Sequence, residues 1–137
     1  MGGSVSLTLT PATWNISHAR NCPGTGILGV LACALDPAQT FVLTNTGTVQ
    51  VGGITQGTLS GTAANLANFS VVRLLSTCGP AGGGQLLGIT TLAPGASCVI
   101  TVQFKPLTAQ PAGLKTVTLS VSDAAGTQTS TLNGTAQ

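Results

Sequence analysis

Charge is what this chain has least of. Of its 137 residues only Arg20, Arg73, Lys105, Lys115, Asp36 and Asp123 are formally charged, against about a quarter in an ordinary soluble domain. Four scattered cations and a net charge of +2 form no basic patch, which argues against binding nucleic acid by phosphate neutralisation. His18 is the only histidine, and no serine sits in a Gly-x-Ser-x-Gly elbow. A hydrolytic nucleophile with its base and orienting acid therefore has no source, and no enzymatic activity is expected. The two carboxylates, Asp36 and Asp123, lie in Asp36-Pro37 and Asp123-Ala124-Ala125-Gly126, where turn capping explains them better than glycosidase chemistry. Neither a Cys-x-x-Cys knuckle nor a partner ligand for His18 exists, so no metal and no cofactor is expected. Gly82-Gly83-Gly84 is followed by neither Gly-Lys-Ser/Thr nor a helix, which makes it a flexible loop and no phosphate cradle. No apolar run approaches the roughly 20 residues of a membrane span.

Apolar residues, by contrast, make up 42 % of the chain, too many for a disordered polymer. The surface must then consist of Thr, Ser, Asn, Gln and Gly. Such neutral surfaces repel one another weakly, so the partners expected are protein subunits or domains, this chain itself among them. The length suits one domain, over residues 5–137. Met1 to Ser4 reads as an expression scar or flexible N-terminus. No secretory signal is visible there, because alternation begins at once in Val5-Ser6-Leu7-Thr8-Leu9. Two origins fit: a scar on a mature exported domain, or the native start of a protein assembled inside a cell, such as a virion component.

The cysteines form two local pairs, Cys22/Cys33 and Cys78/Cys98. Four cysteines allow three connectivities and the sequence alone does not choose. Sequential pairing is preferred because each pair brackets a short loop rich in Gly and Pro. Disulfides imply an oxidising compartment, hence an extracellular or cell-surface location, with a virion as the alternative.

Turn signals recur at short intervals, as in a sandwich or barrel. Strands are expected at Val5 to Thr10, Thr13 to Ser17, Gln39 to Asn45, Phe69 to Leu75, Cys98 to Lys105, Leu114 to Val121 and Thr127 to Leu132. A Gly-interrupted strand region is expected at Val49 to Leu59 and a single helical turn at Thr62 to Asn68. Leu86-Leu87-Gly88-Ile89 is expected to pack back under the glycine loop. In the fifth of these strands Cys98, Ile100, Val102 and Phe104 share the inner face. Phe41, Phe69 and Phe104 are assigned to the core. Trp14 has two readings, as a core side chain or as an exposed anchor for a glycan. Asn15-Ile16-Ser17, Asn68-Phe69-Ser70 and Asn133-Gly134-Thr135 match the N-glycosylation pattern, as chance allows in an Asn- and Thr-rich chain.

The order of several motifs carries a resemblance. Leu9-Thr10-Pro11 is followed by Phe41-Val42-Leu43-Thr44-Asn45-Thr46-Gly47 and by Cys78. Leu92-Ala93-Pro94-Gly95-Ala96-Ser97-Cys98, Phe104-Lys105-Pro106 and Leu132-Asn133-Gly134-Thr135-Ala136 complete the series. From about Leu7 onward the chain resembles the ASPM–SPD-2–hydin (ASH-type) immunoglobulin-like domains of bacterial secreted and surface proteins. The resemblance implies an all-β, immunoglobulin-like antiparallel sandwich of seven or eight strands, and it supports a Cys78–Cys98 bridge. The Cys22–Cys33 insertion and the long Cys78–Cys98 loop depart from the usual pattern, and both are candidate docking surfaces. Such domains serve as spacers, adhesive modules and assembly modules, which carries a class of role and no particular ligand. The leading expectation is a structural or adhesive module on an extracellular surface. A self-assembling subunit of a filament or virion surface is the alternative, exchanging a terminal strand through Val5, Leu7 and Leu9. Carbohydrate binding through Trp14 is the third.

Overall fold

The computed structural model describes residues 3–18, 36–107 and 111–137. Its strands are β1 (Leu7–Thr10), β2 (Thr13–His18), β3 (Ala38–Asn45), β4 (Thr58–Ser60), β5 (Phe69–Val71), β6 (Ser97–Phe104), β7 (Gly113–Asp123) and β8 (Gly126–Ala136). They form two four-stranded sheets, ordered β1-β3-β6-β5 and β2-β8-β7-β4. A single helical turn, α1 (Ala63–Leu66), is capped by Thr62, whose hydroxyl accepts from the Asn65 amide. A 3-10 turn follows β5 at Arg73–Leu75.

Period-two alternation builds the core. From one sheet Leu7, Leu9, Phe41, Leu43, Phe69, Ile100, Val102 and Phe104 are buried; from the other Trp14, Val117, Leu119, Val121, Leu132 and Ala136 meet them. Phe104 lies over Gly134, where a Cβ would come within 2.5 Å of the ring. This glycine is there for close approach between the sheets. Phe69 and Phe104 pack with ring centroids 4.8 Å apart.

The pairing is not wholly antiparallel, as the sequence pattern suggested. Pro11 and Ala12 carry the chain from the first sheet to the second, so β2 keeps the direction of β1 and runs parallel to β8. Pro11 has no N–H to offer a ladder, but its carbonyl accepts from the Ser130 hydroxyl at 2.7 Å and the Ala12 carbonyl from the Thr131 amide at 2.9 Å. Other differences are local. The expected strand at Phe69 to Leu75 stops at Val71, and the region Val49 to Leu59 contributes only β4 and an isolated bridge from Val51 to Leu92. Glycines at 52, 53 and 57 interrupt that stretch.

Two fully buried asparagines tie the loops at opposite ends. The Asn45 amide donates to the Val49 carbonyl at 2.8 Å and the Leu92 carbonyl at 2.9 Å, and its oxygen accepts from the Gly47 amide at 2.9 Å. The Asn68 side chain donates to the Ala64 carbonyl at 2.9 Å and accepts from the Leu107 amide at 3.0 Å. Asn68 is therefore sealed from any modifying enzyme in the folded chain.

Cys78 and Cys98 are bonded, across 20 residues of sequence, and both are buried. Cys22 and Cys33 lie outside the described residues. Asn45→Ala is expected to cost about 2 kcal/mol, because the buried corner loses three bonds and the Val49 carbonyl its partner, while the Leu92 carbonyl keeps the Val51 amide and the Gly47 amide keeps the Ser6 carbonyl. The double change Cys78→Ala with Cys98→Ala is expected to cost about 3 kcal/mol in the chain-entropy model. Urea unfolding of each variant measures both.

Candidate functional site

Chemistry-bearing side chains are dispersed. Among the described residues, no group of three His, Cys, Asp or Glu side chains could hold a metal ion. His18 ends β2, and its Nε2 stands 3.1 Å from the Asp36 Oδ1, both half-buried or deeper. The pair joins the two described residues on either side of positions 19–35. Its members are 18 positions apart, so each reads singly as a loop or turn residue. Asp123 accepts from the Ala125 amide at 2.7 Å through Oδ1, as its turn motif predicts. Lys115 points along the inner face and is buried.

Among the described residues, charged side chains stand in loops, at strand ends or, as Lys115, on the inner face of a strand. Among the described residues, every outward strand position carries a neutral side chain. Rows of hydroxyls cross the β2-β8-β7-β4 sheet, as in Thr13, Thr131, Thr118 and Ser60, which are adjacent in register.

Trp14 is not an exposed anchor. It is 8 % exposed, faces inward on β2 and meets Phe41 edge-on at 6.3 Å. The strand pattern Trp14, Ile16 pointed inward, and the core needed its area. Leu7 and Leu9 are likewise buried in β1, which pairs with β3 of its own chain, while Val5 is 52 % exposed. Val5 lines a shallow depression of about 180 Å³ with Gln50, Val51, Gly52, Ala124 and Ala125.

The flank of the sandwich beside β6 is built differently from the faces. The chain after β5 bulges and then follows the β6 edge. The Ser76 hydroxyl accepts from the Thr101 amide at 3.1 Å and the Thr77 hydroxyl from the Val99 amide at 3.0 Å. Beyond Cys78 a tight hairpin, closed by reciprocal bonds between Gly82 and Gln85, turns through Gly83 and Gly84 with positive φ. Buried Gln85 holds it in place, donating to the carbonyls of Cys78 at 3.0 Å and Leu87 at 3.0 Å. Gln56 donates to the Pro80 carbonyl at 2.8 Å and the Gly82 carbonyl at 2.9 Å.

Contrary to the sequence reading, Leu86 and Leu87 do not pack back beneath the glycines. They are 73 % and 68 % exposed, and Leu74 and Leu75 on the neighbouring turn are 65 % and 59 % exposed. Gln85 and Ile89 fill the space instead. Arg73 adjoins this hairpin: a Cβ on Gly84 would lie 3.4 Å from its Cβ. Burial lowers the Arg73 pKa, and its buried Nη1 has no hydrogen-bond partner.

No family model matches the chain, and no curated protein matches it. Solved structures do. The VesB protease of Vibrio cholerae is 21 % identical with a TM-score of 0.49, over 97 % of this chain and 31 % of that one. A family 123 glycoside hydrolase from Clostridium perfringens is 9 % identical with a TM-score of 0.59, over 98 % of this chain and 27 % of that one. The Pseudomonas aeruginosa CupB2 chaperone is 11 % identical with a TM-score of 0.50, over 92 % of this chain and 53 % of that one. The chain thus spans at most about half of each. The likeness to the hydrolase and the chaperone is one of fold, an all-β sandwich, and extends no further.

Trp14→Ala is expected to lower stability by about 3 to 5 kcal/mol, as for a large core aromatic. Guanidinium unfolding checks it; an unchanged midpoint would restore the exposed-anchor reading.

Proposed function

We propose that this chain is a non-enzymatic, immunoglobulin-like module of the ASH type, serving as a spacer and adhesive element on an extracellular surface. One observation carries the spacer reading: the chain enters at one end of the sandwich and leaves at the other. The segment before β1 bonds to the turn at Thr46 to Thr48, and Val5 stands beside the β7–β8 turn at Ala124 and Ala125. The last residues lie at the opposite end, where the Gln137 amide donates to the His18 carbonyl. A module traversed in this way adds its full length to a string of modules.

The buried disulfide is compatible with an oxidising exterior, and among the described residues no helix is long and apolar enough to cross a membrane. The charge-free faces suit close lateral neighbours. Self-assembly by exchange of Val5, Leu7 and Leu9 is the second reading, favoured by the shortness of β1, an edge strand of four residues.

Three copies joined in tandem provide the test, by small-angle X-ray scattering. β7 and β8 run 11 residues each, so each added copy should lengthen the particle by about 35 to 40 Å. A compact trimer of unchanged maximum dimension would sink the spacer reading. A single copy that assembles in solution, and ceases to when residues 3–10 are deleted, would replace it with strand exchange.

A further inference from the structure

The flank formed by Arg73 to Leu75 and Gly82 to Gly88 has the properties of a binding surface. Among the described residues, Leu74, Leu75, Leu86 and Leu87 are four of the six large apolar side chains that stand exposed. Each is about two-thirds exposed, so together they present apolar area on the order of 250 Å². That approaches the largest apolar patch of an ordinary monomer, where interaction sites are often found. It is about a third of what one partner buries in a standard protein interface, so it suits a short segment better than a whole domain.

Three features say what kind of segment. None of the backbone N–H groups of Leu86, Leu87 and Gly88 donates a hydrogen bond to a described residue, which leaves donors able to pair with a passing backbone. The stretch is held in place by Gln85, by Gln56 and by the adjacent Cys78–Cys98 bond, so little ordering is needed on binding. Arg73 is the one charge on this flank among the described residues, and its Nη1 lacks an acceptor. A guanidinium that lacks an acceptor is matched by a carboxylate, through bidentate bonds once the side chain turns outward.

We infer that this flank binds an extended apolar peptide segment bearing an acidic residue, with leucines gripping its side chains and Arg73 its carboxylate. The segment belongs to another protein and not to a second copy. The chain has only two side-chain carboxylates; Asp36 is paired with His18, and Asp123 caps its turn with Oδ2 buried. The inference is independent of the spacer reading, since joints of a string lie at the ends and this surface lies on the side.

A random dodecapeptide phage library panned on the intact protein tests it. Enriched peptides should combine two or more large apolar residues with Asp or Glu. Measured as synthetic peptides by fluorescence anisotropy, they should lose roughly tenfold or more in affinity on Leu86→Ser with Leu87→Ser, and similarly on Arg73→Gln. Unfolding midpoints of both variants should stay near that of the parent, as these side chains are largely outside the core. Peptides that bind the leucine variant undiminished, enrichment without an acidic preference, or no enrichment would each overturn the proposal. So would concentration-dependent dimers that Leu86→Ser with Leu87→Ser abolishes, because the occupant would then be a second copy.

Discussion

A single buried amide, that of Asn45, joins three stretches of chain at one end of the sandwich. It reaches the turn after β3 through Val49 and Gly47, and the segment before β6 through Leu92. The Asn45 backbone adds bonds to Gly95 and Ala96. Two residues earlier Leu43 stands opposite Cys98, so amide and disulfide lock the same corner. Polar groups sealed from water must find partners or cost about 1 to 3 kcal/mol each. One side chain with two donors and an oxygen bonds three of them at once, as sole partner of the Val49 carbonyl among the described residues and beside the Val51 amide at Leu92 and the Ser6 carbonyl at Gly47.

The scarcity of charge makes this kind of bonding the rule. Apart from the His18–Asp36 pair, neutral amides and hydroxyls tie the described loops where other domains use ion pairs: Asn68 at the far end, Gln85 under the hairpin, Ser76 and Thr77 along the β6 edge. The two hydroxyls supply acceptors to β6 where a further strand would have done so, leaving that edge unavailable to a neighbour's strand. Net charge then has little part in stability, and salt should matter less than temperature or denaturant.

Ends, faces and flank have different properties. The ends receive and release the chain and hold the charged residues of the strands. The faces are neutral and hydroxylated, while the flank near the disulfide is apolar, anchored and cationic. A spacer needs the first two; the third is more than a spacer needs, and that excess is why it is read as a contact surface.

Much of the architecture was legible because the information is local. Alternation in Cys98 to Phe104 and in Val117 to Val121 assigns faces without reference to any other strand, and Pro11 and Pro106 bound strands by chemistry alone. The turn motif at Asp123 and the helical turn near Ala63 were equally plain. What depended on distant partners was not. The parallel pairing of β2 follows from a crossing between sheets, which no alternation records. Trp14 became a core residue when Phe41 arrived across the sandwich, and His18 meets Asp36 from 18 positions away. Leu86 and Leu87 look like core by composition, but the buried Gln85 beside them took the inward place because its amide could satisfy two carbonyls there. Side-chain alternation is a property of one strand, while burial is a property of whatever packs against it. The sequence by itself therefore determined the all-β character and most strand positions. Only the tertiary structure decided which polar groups are sealed, which leucines are left outside, and where the ends of the chain emerge.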